Sequence, residues 1–170
     1  PRRAAVFGSR KRRRPAPQSQ TWSAPRSAPT SSITSTGVVA SAASLADGRY
    51  VAWVNGTENQ RASSVWVKSR NGGRSAELLS AMRDVEYRTV TLSPDGSRVY
   101  FTRAVREGAA ALYVISRLGG QAVQVASNVD SPVALSPDGR RIAFVRLGDT
   151  SASLITANSA GTGDRWLAGS

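Results

Sequence analysis

The 170-residue chain contains no cysteine and no histidine. Without cysteine it can form no disulfide and has no thiolate nucleophile, and without either residue it lacks zinc sites of the Cys/His type. Without histidine it also lacks the imidazole base on which serine-hydrolase triads depend. These two absences exclude much of the known enzyme chemistry, and we predict that this chain is not itself an enzyme.

Long apolar runs are also missing. The longest, Gly37 to Ala46, has ten residues and is interrupted by Ser41 and Ser44. A membrane-spanning helix needs roughly 18 apolar residues, so no span is predicted within this chain. Hydrophobic residues nevertheless make up 40% of the sequence. That fraction is too high for a wholly disordered chain and is enough for one domain with a core.

Acidic residues are absent from the first 29 positions, which hold eight arginines and lysines. The formal net charge of +12 is therefore mostly a property of this segment, because the other 141 residues carry 15 basic and 11 acidic side chains. Residues 1–32 are rich in proline and serine and lack strand or helix periodicity, which predicts a basic linker. Five adjacent cations would attract an anionic membrane surface, whereas the scarcity of aromatic residues for base stacking disfavours nucleic acid. They are Arg10, Lys11, Arg12, Arg13 and Arg14.

Beyond residue 32 the chain contains an internal repeat. Three segments align without gaps and place Asp47, Asp95 and Asp138 in register, with spacings of 48 and 43 residues. Each segment is followed by a second strand-like run, a glycine-containing turn and a last short run, which together predict about four strands. A four-stranded unit of this length is the size of one β-propeller blade. The best helical pattern, Ala76 to Arg83, falls where the repeat requires a strand, so the predicted class is all-β.

Each repeat is centred on a tight turn. Pro94 and Pro137 fix the backbone dihedral φ at the first corner, the aspartates can hydrogen-bond to the backbone that follows, and the next glycine accepts a positive φ. Positions spaced by two after the turn share one face of a strand and are predicted to pack against a neighbouring blade. These positions are Val51 and Trp53, Val99 and Phe101, and Ile142 and Phe144, whereas Ala52, Tyr100 and Ala143 point the other way. The strand tryptophans Trp53, Trp66 and Trp166 are expected in the core.

The three segments resemble the WD40-like Ser-Pro-Asp-Gly repeat of TolB-type β-propellers. The resemblance covers residues 33–170 and implies a partial propeller of three four-stranded blades, approximately 33–83, 84–128 and 129–170, after the linker at 1–32. Propellers close with roughly four to eight blades, so three blades leave two open faces. We therefore expect the full protein to continue with further repeats, or copies to associate and close the ring; the initial Pro1 also indicates a fragment or a processed product.

Several shorter stretches are similar to the propeller region of bacterial receptor-like serine/threonine protein kinases. They are Ile33–Gly37, Val85–Arg88, Ala111–Gly120 and Asn128–Pro132. In that family a cytoplasmic kinase domain is followed by a membrane helix and a propeller, which implies a membrane-associated, extracytoplasmic module that binds a protein, peptide or ligand. The chain itself contains no kinase motif. Two alternatives stay open: a TolB-type periplasmic protein-binding scaffold, and the propeller cap of a prolyl-oligopeptidase-like hydrolase.

No catalytic residue, cofactor site or metal site is predicted. Each Asp-Gly turn has one aspartate, whereas a calcium loop needs several oxygen ligands at alternate positions. Asp84 and Glu86 would share one face of a strand, but no matching acid or pocket accompanies them, which disfavours a glycosidase pair. Binding is expected through loops such as Asn55–Ser63 and Ala104–Ala110, whose composition does not identify the ligand.

Overall fold

The computed structural model describes residues 38–56, 62–105, 108–129 and 131–169. Their secondary structure consists of twelve β-strands without a helix, which confirms the predicted all-β class. Within these ranges there is accordingly no helix of the length and apolarity needed to cross a membrane. The predicted linker, with its cations Arg10 to Arg14, lies outside the described residues.

The strands form three antiparallel sheets, and each sheet is built from four consecutive strands. These sheets are the three blades that the repeat predicts. The first contains β1 (Val38–Ser44), β2 (Tyr50–Gly56), β3 (Ser63–Ser69) and β4 (Ala76–Leu79); the second contains β5 (Val85–Leu92), β6 (Arg98–Val105), β7 (Ala111–Ser116) and β8 (Val123–Ala126); the third contains β9 (Ala134–Leu135), β10 (Arg141–Leu147), β11 (Ala152–Asn158) and β12 (Arg165–Gly169).

The three sheets share one register. The aromatic residue of each second strand pairs with an apolar residue of the third strand. The pairing between the third and fourth strands of each sheet contains one register shift, as at a β-bulge. Because the side-chain period of a strand is two, this common register places corresponding residues of every repeat on the same face. The pairs are Trp53 with Trp66, Phe101 with Tyr113, and Phe144 with Ile155.

One buried cluster lies between the first and second sheets. Ala52 and Val54 of β2 belong to it together with Val99 and Phe101 of β6, and all four side chains are nearly inaccessible to water. Burial of a valine or phenylalanine side chain contributes about 1.5–3 kcal/mol. The face of β6 that carries Val99 and Phe101 is therefore held against the preceding sheet, as the repeat predicts.

A second buried cluster joins the second sheet to the third. Tyr100 and Leu112 come from the opposite face of the second sheet, and Ile142 and Phe144 come from β10. In this interface Ile142 and Phe144 occupy the positions that Val99 and Phe101 occupy in the first. The repeat thus generates the same sheet-on-sheet contact twice, with each sheet using one face for each neighbour.

The strand tryptophans differ in burial, and the prediction that Trp166 is a core residue is wrong. Trp53 is 3% exposed, and its ring stacks on the half-buried Trp66 with centroids 6.2 Å apart. Trp166 is 64% exposed on the outermost strand β12. It occupies the register position of the exposed residues Glu77 and Gln124. An outermost strand has a neighbour on one side only, so this position stays in solvent.

Candidate functional site

Two connections of every sheet lie at the same edge. In an antiparallel sheet of consecutive strands, the first turn and the third-to-fourth hairpin share one edge, and the second-to-third loop lies at the other. Backbone hydrogen bonds join turn and hairpin in each sheet, from Arg70 to Arg49, from Arg117 to Ser97 and from Ser159 to Arg140. We call the resulting surface the turn face; it comprises the turns with the first residue of the strand that follows, 45–50, 93–98 and 136–141, and hairpins 70–75, 117–122 and 159–164.

The turn of the second sheet is closed by its own side chains. The Ser93 hydroxyl donates to Asp95 Oδ1 at 2.6 Å and accepts the backbone N–H of Arg98 at 2.9 Å. The backbone N–H and the hydroxyl of Ser97 donate to the two oxygens of the same carboxylate at 3.0 and 2.7 Å. Hydrogen bonds from Ser93 and then Ser97 lower the pKa of Asp95 to about 2. This aspartate is therefore an ionised acceptor that holds the turn together.

The other two turns vary this arrangement. In the third sheet the Ser136 hydroxyl donates to Asp138 at 2.5 Å, and this bond, with the backbone N–H of Arg140, lowers the pKa of the carboxyl. In the first sheet Leu45 replaces the serine. The backbone N–H and side chain of Arg49 bind Asp47 instead and lower its pKa. The single aspartate of each turn is thus already engaged by hydrogen bonds.

Large side chains fill the turn face between the first and second sheets. Leu45 is buried, and its Cδ1 lies 2.7 Å from the place of a Cβ on Gly96 of the neighbouring turn, whose φ of 71° favours glycine. The Arg117 guanidinium lies over the ring of Tyr50, 4.0 Å from the centroid, and its Nε donates to the Gly96 carbonyl oxygen at 2.8 Å. Leucine, tyrosine and arginine together close this junction.

The corresponding junction between the second and third sheets is open. Ser93 stands where the first sheet has Leu45, and Ser159 stands where the second has Arg117. These smaller side chains leave a groove of about 480 Å³, which we call the junction groove. Its walls are Ser93, Pro94, Asp95, Ser97, Arg98 and Tyr100 from the second sheet and Pro137, Asp138, Gly139 and Ser159 from the third.

An apolar hollow of about 310 Å³ adjoins the junction groove. Arg98 and Ser159 border both spaces. The hollow is lined mainly by aliphatic side chains of β7 and β8, with Val123 60% exposed to solvent. Its lining consists of Arg98, Val114, Ile115, Ser116, Gln121, Val123, Val125, Ser159 and Ala160. The site therefore combines a polar part and an apolar part on either side of one arginine.

The arrangement offers a ligand both polar and apolar contacts. The hydroxyls of Ser93 and Ser97 bond to Asp95 or to the backbone, and no group of three or more potential metal ligands occurs among the described residues. The Tyr100 hydroxyl donates to the Ser159 carbonyl oxygen at 3.0 Å across the junction. That bond fixes the floor of the groove and leaves the walls free to contact a ligand.

The acidic pair and the binding loops considered in the sequence analysis lie outside the junction groove. Asp84 precedes β5 with a positive φ of 62°, and Glu86 forms an ion pair with Arg88 at 2.9 Å. The expected binding loops, Asn55–Ser63 and Ala104–Ala110, are described only in part, and their described residues lie at the edge opposite the turn face. The junction groove was not foreseen. A comparison of equivalent repeat positions could have indicated the groove, because Ser93 replaces Leu45 and Ser159 replaces Arg117.

No family model and no curated protein matches the chain. Several solved structures are similar to it. A protein of Agrobacterium tumefaciens described as TolB is 16% identical with a TM-score of 0.61, over 75% of this chain and 48% of that one. A chain from a nidogen–laminin complex is 17% identical with a TM-score of 0.61, over 78% and 49%. The β-propeller domain of the trilobed protease from Pyrococcus furiosus is 14% identical with a TM-score of 0.57, over 78% and 41%.

These likenesses confirm the β-propeller fold. The matched region spans about half the length of the first two similar structures, 48% and 49%. At identities of 14 to 17% the likeness concerns the fold alone. Propellers carry many unrelated functions, so the function has to be argued from the site.

Proposed function

We propose that this chain is a non-catalytic propeller module that binds a protein or peptide partner at the junction groove. The observation that carries the proposal is the groove itself, a concave site that offers both polar and apolar walls. Such a site suits binding of an extended chain, whose backbone and side chains need both kinds of contact. One similar structure is a complex of nidogen with laminin, which supports a role of this fold in protein assembly.

Selection from a random peptide library tests the binding role. We expect the whole chain to enrich specific peptides, and Ser159→Phe to abolish their binding because a ring at this position fills the groove. Asn71→Phe is the matched control, since it adds the same ring to the exposed hairpin of the first sheet on the same face. Amide chemical shifts of Gly139 and Ser159 should move when a selected peptide is added to the unmodified chain. Failure to select any groove-binding peptide would overturn the proposal.

We further propose that the module is the sensor or interaction region of a bacterial membrane serine/threonine kinase, on the extracytoplasmic side. The support is the similarity of Val85–Arg88 and Ala111–Gly120 to such propellers, together with the basic segment at 1–32, which suits a position beside a membrane.

Reading the coding DNA on both sides of the segment tests the kinase assignment. We expect a kinase catalytic loop and a membrane helix upstream and more Ser-Pro-Asp-Gly repeats downstream. A secretory leader directly upstream would instead indicate a TolB-type scaffold. A Gly-x-Ser-x-Gly elbow downstream would indicate the cap of a hydrolase. Either of these outcomes contradicts the kinase assignment.

A further inference from the structure

We infer that the junction groove and its adjoining hollow select an acidic peptide segment with an apolar anchor: one aliphatic side chain in the hollow and a neighbouring carboxylate on Arg98. This inference rests on the proposed binding function and adds the chemistry of the partner. It follows from three features of the described residues, namely the hollow, the arginines of the turn face that have no ion pair, and the lack of an exposed aromatic ring in the groove.

The hollow supplies the apolar subsite. Val114 and Val123 of the second sheet and Ala160 of the hairpin in the third offer aliphatic surface around about 310 Å³. At the corresponding place between the first and second sheets, the Tyr50 ring and the Arg117 side chain lie against each other. The chain therefore leaves open at one junction an apolar space that it covers at the other. A leucine-sized side chain entering it would remove apolar surface from water on both partners.

The arginines supply the preference for acid. The turn face contains seven arginines and four aspartates and so carries an excess of positive charge. Asp47 and Asp164 form ion pairs with Arg49 and Arg146, whereas Asp95 and Asp138 stay ionised and are held by hydroxyl and N–H groups of their own turns. Five arginines of this face have no ion pair within the described residues: Arg70, Arg74, Arg98, Arg140 and Arg141. An unpaired guanidinium presents five donors that match a carboxylate.

Arg98 lies where the polar junction groove meets the apolar hollow. Among the described residues it is the one charged side chain that borders the hollow, and it also forms part of the groove wall. Arg140 follows the wall residue Gly139, and its carbonyl oxygen accepts the backbone N–H of Ser159. A carboxylate next to the anchoring side chain would meet Arg98 first. A second carboxylate further along the groove would approach Arg140.

A peptide fits these features better than a nucleic acid strand does. Single-stranded nucleic acids are held by aromatic side chains on which bases stack. The aromatic residue of the groove, Tyr100, is 1% exposed, and its hydroxyl is bound to Ser159. The hollow is walled by aliphatic side chains, which offer no flat surface to a base but accept a branched side chain.

Four labelled probes test the inference by fluorescence anisotropy on the whole chain. The first is a Gly/Ser dodecapeptide with a central leucine between two pairs of glutamates. The second has lysines for glutamates, the third has serine for leucine, and the fourth is a twelve-nucleotide oligothymidine. We expect the first to bind, and its affinity to fall as salt is raised. We expect the second and third to bind at least tenfold more weakly, roughly the effect of losing one charge-assisted contact or one anchor.

Variants locate the contact. Arg98→Gln should weaken binding of the first peptide about tenfold, whereas Arg74→Gln removes the same charge from an exposed hairpin of the same face and should change it less than about twofold. Val123→Ser should weaken the leucine peptide and leave the serine peptide unchanged. Circular dichroism melts establish that each variant is folded.

The outcomes separate this inference from the binding function. Equal affinity for the glutamate and lysine peptides, or tighter binding of oligothymidine, overturns the acidic-anchor assignment. If library selection yields groove-binding peptides that are neutral or basic, the binding function stands and the partner chemistry is wrong. If no peptide binds the groove at all, both fail together.

Discussion

The hydroxyl of Ser93 forms two hydrogen bonds at once, and this explains why the turn has serine and aspartate two residues apart. It donates to Asp95 and accepts from the backbone of Arg98, so one side chain joins both ends of the turn. The aspartate in turn needs a negative charge to accept three hydrogen bonds well. Protonation removes that charge, which makes the turn a source of acid sensitivity.

Acidification should destabilise the protein through Asp95. Its carboxyl has a pKa of about 2 in the fold against an ordinary value of 3.8. A lowered pKa stabilises the fold fully above the ordinary value, and this contribution is lost as the pH falls towards 2. We expect the melting temperature to fall between about pH 5 and pH 2, measured by circular dichroism. Asp95→Asn should be less stable than the parent at pH 5, and the difference should shrink towards pH 2.

The control for this titration is Asp149→Asn, which removes an exposed carboxylate from the loop after β10, where no hydrogen bond to it is found within the described residues. This variant should follow the pH profile of the unmodified chain. A pH profile for Asp95→Asn that runs parallel to the parent at every pH would show that the turn carboxylate does not contribute to acid sensitivity.

Gly161 should tolerate no side chain. Its φ is 85°, and a Cβ would overlap the carbonyl oxygen of Val125 in the neighbouring sheet. We expect Gly161→Ala to lower the free energy of unfolding by more than about 2 kcal/mol in urea titrations. Gly163 has a φ of 68° and open space around it, so Gly163→Ala isolates the backbone cost of about 1–2 kcal/mol. Equal losses in the two variants would show that the contact with Val125 is unimportant.

At the scale of the element, the position of a strand within its sheet decides whether its apolar residues are buried. Inner strands have neighbours on both sides, and those of their faces that meet an adjoining sheet are covered by it. The outermost strands β4, β8 and β12 form the periphery, and their residues at the Glu77, Gln124 and Trp166 positions face solvent. Two tryptophans with similar strand patterns therefore contribute very different amounts of stability.

Alanine substitution at the two tryptophans measures this difference. Trp53→Ala removes a side chain that is 3% exposed and stacked on Trp66, and it should lower the free energy of unfolding by about 3–5 kcal/mol. Trp166→Ala removes a ring that is 64% exposed and should cost less than about 1 kcal/mol. Urea titrations followed by circular dichroism give both values. A larger loss for Trp166→Ala would mean that β12 is covered in solution.

The features of this fold that depend on nearby residues could be predicted from the sequence, whereas those that depend on contacts between sheets could not. The turns and strands follow from the Ser-Pro-Asp-Gly motif and from alternation, which act within a few residues, and both were predicted correctly. The exposure of Trp166 depends on which strand lies outermost, which alternation does not reveal. The junction groove depends on pairs of residues from two repeats, such as Leu45 with Gly96 against Ser93 with Gly139. Such pairs meet only when the sheets are assembled.

At the scale of the whole molecule, the third sheet presents a face without a covering sheet among the described residues. Val145 and Leu154 occupy the positions that Val54 and Val65 occupy in the first sheet, where both are fully buried. On the third sheet Leu154 is 38% exposed and Leu147 on the same face is 44% exposed. An apolar face of this kind favours association with another surface.

The chain should therefore self-associate, as the count of three blades also predicts. Sedimentation velocity at about 100 µM should show species larger than the monomer, since exposed apolar sheet surface drives association in this range. Leu154→Lys places a charge on the open face and should shift the distribution towards monomer. Leu118→Lys is the control, because Leu118 is 85% exposed on a hairpin away from that face. A monodisperse monomer with a cooperative melt would contradict the prediction.

Because the turn forms its hydrogen bonds within itself, it does not depend on the neighbouring repeat for its conformation. Residues 93–98 and 136–141 differ only at Ser97 and Arg140, and in both the serine and aspartate satisfy each other and the backbone without help from another sheet. When such a repeat is duplicated, the new copy can therefore form its turn without any change in the neighbouring sheets. The length of such an array is then limited by how well the faces of adjoining units fit, and the junctions, rather than the turns, are where copies become different from one another.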